Sequence, residues 1–417
     1  MRKLVHRRHS PQTYRPGRAR WPPGLHRSAS GPCRSCELSR TWIPVWSGCN
    51  WSKEKHLIIR LTRIIIREIL PMKHFLKPGL WGFGTVATLA FGLAIACSPS
   101  APATSEGTST TGEGAAPKKQ ITVGIVFDKG GRGDKSFNDS AYRGIERAEK
   151  EFGIKVNAVD SRTDADYETN ITSQAERGAD LVIAVGFGML TAANQVAPQF
   201  PDTKFALIDA VAEPSNVRSI LFKEHEGSFL VGYIAGRTSK TKKVGFVGGK
   251  PGDLITKFYA GFVAGVKEAG TGTEVLPPKY TQDWDNVDVA KAAANVLYGQ
   301  GADIIYHAAG RAGLGVFEAA KEQNKYAIGV DSDQDDIAPG RIVTSMVKRV
   351  DEAVYQTIKD VVEGKFSGGT KVYDLASGGV GTTDFRNAKE LVTDAIKADL
   401  DKVAERIKSG DIVVPEK

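Results

Sequence analysis

The sequence predicts an α/β protein of two similar lobes, each a doubly wound parallel sheet, joined by a hinge. Three observations carry that expectation. Apolar runs of four or five residues at 123–127, 181–185, 205–208, 244–247, 304–307, 327–330 and 342–345 alternate with helical periods, which implies parallel strands linked by crossover helices. The chain also echoes itself. VGIVFDKGGRGD from Val123 recurs as VGFVGGKPGD from Val244, GADLVI from Gly178 as GADIIY from Gly301, and KFALID ending at Asp209 as KYAIGVD ending at Asp331. Solenoid repeats are only about 20–50 residues long, so an echo across more than a hundred residues means two lobes. Finally, residues 121–138 read as a strand, a glycine-rich turn and a helix start, the kind of junction where open parallel sheets hold ligands.

Charge and cysteines divide the chain before the first of these strands. The 417 residues carry a net +8, but residues 1–71 hold 15 Lys and Arg against 3 Asp and Glu. Subtracting that +12 leaves −4 for the rest, so a nucleic-acid-binding surface is not indicated. Cys33, Cys36 and Cys49 lie in the basic segment, and only Cys97 lies beyond it. The body therefore has no disulfide framework. Cys33 and Cys36 with Cys49 and His56 lack the spacing of a zinc finger, and HLIIRLTRIIIREIL could lie on a membrane surface as a basic amphipathic helix. A complete export signal restarts at Met72, however, so residues 1–71 read as a misassigned upstream segment or a disordered one.

From Met72 the order is an address, a tether and a body. Lys73, His74 and Lys77 precede the apolar stretch 80–96, the pattern of a secretory signal. Ala94-Ile95-Ala96-Cys97 then resembles a bacterial lipobox, with Cys97 as the lipidated residue and 72–97 as the signal peptide. Residues 98–119 are rich in Ser, Thr, Gly and Pro and form a flexible tether. The folded body is expected over 120–417, outside the membrane and anchored to it by lipid.

Within the body, Ala141, Ile145, Ala148 and Phe152 lie on one helical face, with Ser136 placed to cap that helix and Asp139 as its capping-box partner. Asp128, Asp134, Ser136, Phe137 and Asn138 bring carboxylate, hydroxyl, ring and amide into one loop, which suits an uncharged polar ligand with a flat ring. Asp209 and Asp331 each end a strand at matching places in the echo. If the lobes face each other, the two carboxylates look into one cleft, which hinge motion can close.

FDKGGRGDKSFNDSAYRGIE (127–146), HEGSFLVGYIAG (225–236), AAGRAGLGVFEAAKE (308–322) and IGVDSDQ (328–334) together resemble the basic membrane protein family. These are lipoprotein substrate-binding components of ABC importers, several of which bind purine nucleosides. The resemblance covers roughly residues 120–410 and implies a type I periplasmic-binding-protein fold. Lobe 1 would hold about 120–228 and 341–370, and lobe 2 about 229–340 and 371–417. It implies that Phe137 stacks on the base, that Asn138 and Asp209 address its edge, and that Asp331 and Lys348 hold the ribose hydroxyls where Gly310 allows close approach. Trp284, in YTQDWDN, stands where the family usually has a Phe. Asp128 and Ser136 complete the expected ligand set, and a monomer serving a permease and an ATPase is the expected working unit.

No G-x-S-x-G elbow, H-E-x-x-H pair or Cys nucleophile occurs in the body, so no enzyme, cofactor or metal is expected. The carboxylates at 331, 333, 335 and 336 lack the Gly and Glu an EF-hand needs at its sixth and twelfth places. VGGKPGDL lacks the Lys-Ser/Thr of a phosphate loop and reads as a turn. A sugar or other small polar ligand in the same fold, a ligand-sensing receptor, and a secreted nucleoside hydrolase or phosphorylase remain the competing readings.

Overall fold

The computed structural model describes residues 120–417. The zinc reading, the export signal, Cys97 and the tether all lie outside the described residues.

The first half alternates β1 (Thr122–Phe127), α1 (Phe137–Phe152), β2 (Lys155–Asp160), α2 (Asp166–Glu176), β3 (Leu181–Val185), α3 (Leu190–Val196), β4 (Lys204–Ile208) and β5 (Val217–Phe222). The second repeats the plan with α4 (Glu224–Thr238), β6 (Lys243–Gly248), α5 (Asp253–Glu268), β7 (Glu274–Val275), β8 (Lys279–Tyr280), α6 (Val287–Gly299), β9 (Ile304–Ala308), α7 (Leu314–Glu322), β10 (Tyr326–Asp331) and β11 (Ile342–Lys348). The chain closes with α8 (Val350–Val362), β12 (Gly369–Tyr373), β13 (Val380–Thr382) and α9 (Asp394–Lys408).

One sheet runs β2-β1-β3-β4-β5-β12 and the other β7-β6-β9-β10-β11-β13, with β8 also on β6. Both share the doubly wound order 2-1-3-4-5, and their strands are parallel except β13, which is antiparallel to β11. The internal echo is thus a repeated topology. Each strand feeds two apolar layers, because successive side chains face opposite ways. Ile125 and Ile183 enter the cluster beneath α1 and α8, whereas Val126 and Val182 enter the cluster beneath α2 and α3. Burying each such side chain contributes about 1.5–3 kcal/mol.

The chain passes between lobes three times. It leaves the first sheet after Phe222, since α4 packs on α5 of the second lobe. It returns at Arg349, because α8 packs on α1, and crosses again between Tyr373 and Val380. The crossings are laced together: Lys223 N–H donates to Tyr373 O (2.9 Å) and Arg349 N–H to Gly379 O (2.8 Å). Two expected boundaries are corrected here. Residues 342–348 belong to the second sheet rather than lobe 1, and 371–373 belong to the first sheet. The physical reason for the first is that β10 is buried on both faces and would otherwise be a bare edge; β11 pairs along it in parallel.

Sequence reading missed the polar edge strands β2 and β12 and the strand β5. In β5, Arg218 interrupts the apolar run and is paired with Asp360 at 2.6 Å. Ser136 was expected to cap α1, and it does not; its side chain makes no cap bond. Asp134 does so instead, accepting the backbone N–H groups of Ser136, Asn138 and Asp139 (2.8, 2.8 and 3.1 Å). The Asp139 carboxylate turns back to Gly133 N–H and Lys135 N–H.

Helices α4 and α5 meet through glycine. A Cβ at Gly232 would collide with Phe262 O, and one at Gly265 with Phe229 O. Gly232→Ala should therefore lower stability by about 1–3 kcal/mol. Gly299→Ala, at a helical position where a Cβ meets nothing within 4 Å, should be neutral or stabilising by up to about 1 kcal/mol. Chemical denaturation of the two variants beside the parent checks the contrast.

Candidate functional site

The carboxyl ends of both sheets converge on one cavity, whose empty space together with its open mouth is roughly 570 Å³. Asp128, Phe137, Asn138 and Asp209 line it from the first lobe, and Trp284, Gly310, Asp331 and Lys348 from the second. Eight of the nine expected ligand residues are thus brought together. Ser136 is the exception. It is fully buried behind the wall, where its hydroxyl donates to Asp331 Oδ2 at 2.6 Å, across the lobe boundary.

The two aspartates of the echo share more than position. Asp209 directly follows β4 and Asp331 ends β10, and both have a left-handed backbone, with φ of 71° and 63°. Asp tolerates this region better than most residues, but strained backbone of this sort concentrates at functional sites. In each lobe the left-handed turn swings a carboxylate off the end of the sheet into the cleft.

Lys348 occupies a cage. Its ammonium lies 2.7 Å from Asp209 Oδ2 and 3.0 Å from Glu224 Oε1, and all three side chains are nearly inaccessible to solvent. The rings of Phe222, Phe137 and Phe258 surround it at 4.9, 5.2 and 5.7 Å. Burial alone would push its pKa down, but Asp209, Glu224 and Asp331 outweigh that and hold it above its ordinary value. The lysine expected to hold a ribose with Asp331 is therefore already committed to two carboxylates. Glu224, at the first residue of α4, was not anticipated.

Asp331 is pushed up to about 6 by burial, against the pull of Lys348 and Ser136. Asp128 is pushed up to about 8, by desolvation first and then by the charges of Asp134, Asp209 and Asp331, despite a bond from Asn138. Gly186, at φ 126°, leaves room for it: a Cβ there would stand 2.9 Å from Asp128 Oδ2.

Asn138 donates its amide N–H groups to Asp128 Oδ1 (2.9 Å) and Asp134 Oδ2 (3.1 Å). Its Oδ1, like Asp209 Oδ1, is buried and has no hydrogen-bond partner among the described residues. An unmatched buried acceptor is costly, and two of them on a cavity wall favour a ligand with N–H or O–H donors.

Apolar surface completes the cavity. Leu254, Ile255 and Phe258, from the first turns of α5, join Phe137, Trp284 and Phe187. Phe187 meets Trp284 edge to face, with centroids 6.1 Å apart. The α5 residues were not singled out in the sequence, and Phe187 carried no local signal beyond adjacency to a strand end. The turn expected at VGGKPGDL is present, running into α5 at Asp253. Its Gly249 seats the Trp284 ring, which a Cβ would strike.

Residues 121–417 match the family model described as ABC transporter substrate-binding protein PnrA-like (Bmp). A CD4+ T-cell-stimulating antigen of Listeria monocytogenes is 37% identical over 324 residues, covering 72% of this chain and 89% of that protein. Basic membrane protein A of Borreliella burgdorferi is 34% identical, covering 72% and 88%. An ABC transporter nucleoside-binding protein BmpA of Lactococcus lactis is 33% identical, covering 72% and 90%. Among solved structures, a solute-binding protein of an ABC transporter system from Aeropyrum pernix superimposes with a TM-score of 0.66 at 32% identity, over 71% of this chain and 94% of that one. The chain is thus a substrate-binding protein of the ABC-transporter class. It belongs to the Bmp, or basic membrane protein, family. Proteins of this class lie outside the cytoplasm and hand a small molecule to a permease driven by an ATPase. Among the described residues, no helix is long and apolar enough to cross a membrane.

The raised carboxyls give a signed pH prediction. A carboxyl whose folded pKa exceeds its unfolded value binds more protons when folded, so it lowers stability as pH rises between the two values. For Asp128 that window runs from the ordinary carboxyl value of 3.8 to about 8. Asp128→Asn should match the parent in ligand-free stability near pH 4 and exceed it at pH 8 by at least about 1.4 kcal/mol, the equivalent of one pKa unit. Thermal melts across that range check it.

Proposed function

We propose that this protein binds a purine nucleoside in the inter-lobe cavity, without turning it over, and delivers it to an ABC permease as a lipid-anchored monomer outside the cell membrane. The observation that carries the reading is the pairing of chemistries on the cavity wall. Aromatic surface from each lobe, Phe137 and Trp284, accompanies the two unmatched acceptors Asn138 Oδ1 and Asp209 Oδ1. A purine nucleoside matches both: a flat base to stack, worth about 1–3 kcal/mol against an aromatic ring, and N–H and O–H donors at its edge and ribose. The carboxylates of Asp209 and Asp331 oppose a phosphate, which favours the nucleoside over the nucleotide.

Binding rather than catalysis is supported by the family, whose model describes substrate-binding proteins of ABC transporters. A cavity both of whose walls come from one chain supports the monomer. The anchor rests on the lipobox at Cys97, and the nucleoside cargo is also what the Lactococcus relative is named for.

A thermal-shift panel of adenosine, guanosine, inosine, cytidine, uridine, ribose and free bases tests the ligand. A ligand that binds only the folded state raises the melting temperature by mass action. Purine nucleosides alone should raise it. A rise with ribose or other sugars would replace the nucleoside by a sugar in the same transport role, and release of hypoxanthine from inosine on incubation would make the protein an enzyme. Asp331→Asn keeps a residue that tolerates the left-handed turn but loses the charge. Calorimetry should show its nucleoside affinity reduced by roughly tenfold to a hundredfold, the range of a charge-assisted bond.

A further inference from the structure

The turn that presents Trp284 is built by one carboxylate. Asp283 Oδ1 accepts the backbone N–H of Trp284 at 2.7 Å and of Asp285 at 3.2 Å. The Trp284 carbonyl accepts Ala312 N–H at 2.9 Å, and the ring rests on Gly249. The same Asp283 Oδ1 also accepts Lys129 Nζ at 2.9 Å, and Lys129 belongs to the β1–α1 loop of the other lobe. A second bridge of opposite polarity spans the lobes between β6–α5 and β2–α2: Lys250 Nζ of the second lobe lies 3.7 Å from Asp164 Oδ2 of the first. Phe187, again from the first lobe, closes edge-on against Trp284.

We infer that Asp283 is a positioning residue that couples lobe closure to the stacking wall: it sets Trp284 and latches it through Lys129 to the opposite lobe, with Lys250–Asp164 as a second latch, so that the two bridges govern ligand release. The inference rests on the reading that a flat ligand lies against Trp284. Lys129 and Asp283 are each about one-third exposed, at 33% and 31%, and the second pair is more exposed still at 38% and 67%. Such pairs hold weakly and are screened by salt. Weakness suits a latch, because a carrier that must surrender its cargo cannot be locked shut. Each bridge favours the closed arrangement by a factor of roughly two to five.

The experiment is stopped-flow release of guanosine, inosine and adenosine at low salt and at about 0.5 M salt, where the Debye length falls to a few ångströms. Lys129→Met spares the Asp283 cap on Trp284 and should release nucleoside roughly two to five times faster at low salt, with the difference vanishing at high salt. Asp164→Lys should behave likewise, and the exchange Asp164→Lys with Lys250→Asp should restore the parental rate. Parental release from the single variants at low salt overturns the latch. So does an acceleration that survives high salt or is not restored by the exchange. Should none of the three nucleosides bind, the ligand reading fails on its own. Small-angle scattering of the ligand-free protein then decides the latch: Lys129→Met with Asp164→Lys must give a larger radius of gyration than the parent at low salt, and identical profiles sink it.

Discussion

Lys348 pinned between Asp209 and Glu224 is the interaction on which the site and the hinge both depend. Lys348 ends β11, one residue before the chain crosses back at Arg349; Glu224 opens α4, one residue after the first crossing; Asp209 is a wall of the cavity. One ammonium therefore ties two crossings to a cavity-lining carboxylate from the opposite lobe. A buried ion pair is weak evidence for stability, since desolvation offsets much of the attraction, but removing one partner leaves an uncompensated charge. Three aromatic faces around the ammonium recover part of that cost. The second oxygens of Asp209 and Glu224 stay unmatched among the described residues, and of the two residues Asp209 lines the cavity.

The two-lobe plan was legible because it was written twice. Repetition placed Asp209 and Asp331 at equivalent strand ends without any structure, and burial of the strands on both faces made their apolar runs continuous and easy to see. What repetition could not convey was where the copies exchange strands. The run at 342–348 looks the same whether it extends the first sheet or the second, and only the need to cover β10 decides. Polar strands such as β2 and β12 lack the alternation that marks half-buried strands, so the sequence does not single them out.

Candidate residues were readable by type and place, less so by partner. Phe137, Asn138, Asp331 and Trp284 were found, and they do share one cavity. Ser136 was read both as a helix cap and as a hydroxyl for the ligand, yet Asp134 takes the cap and the hydroxyl steadies Asp331. Lys348 was found, but its pairing with Glu224 spans more than a hundred residues and leaves no local trace. Gly249 read as turn punctuation; its true constraint, an indole ring lying on its backbone, comes from residue 284.

The three crossings, hydrogen-bonded side by side, reach beyond holding the lobes together. A single covalent link would let one lobe swivel and tilt about several axes, and each closure would have to find the right orientation by search. Three parallel cables, knotted to each other at Lys223–Tyr373 and Arg349–Gly379, leave one axis free. Opening and shutting then become motion along a track, and the groups that must meet across the gap arrive in register every time.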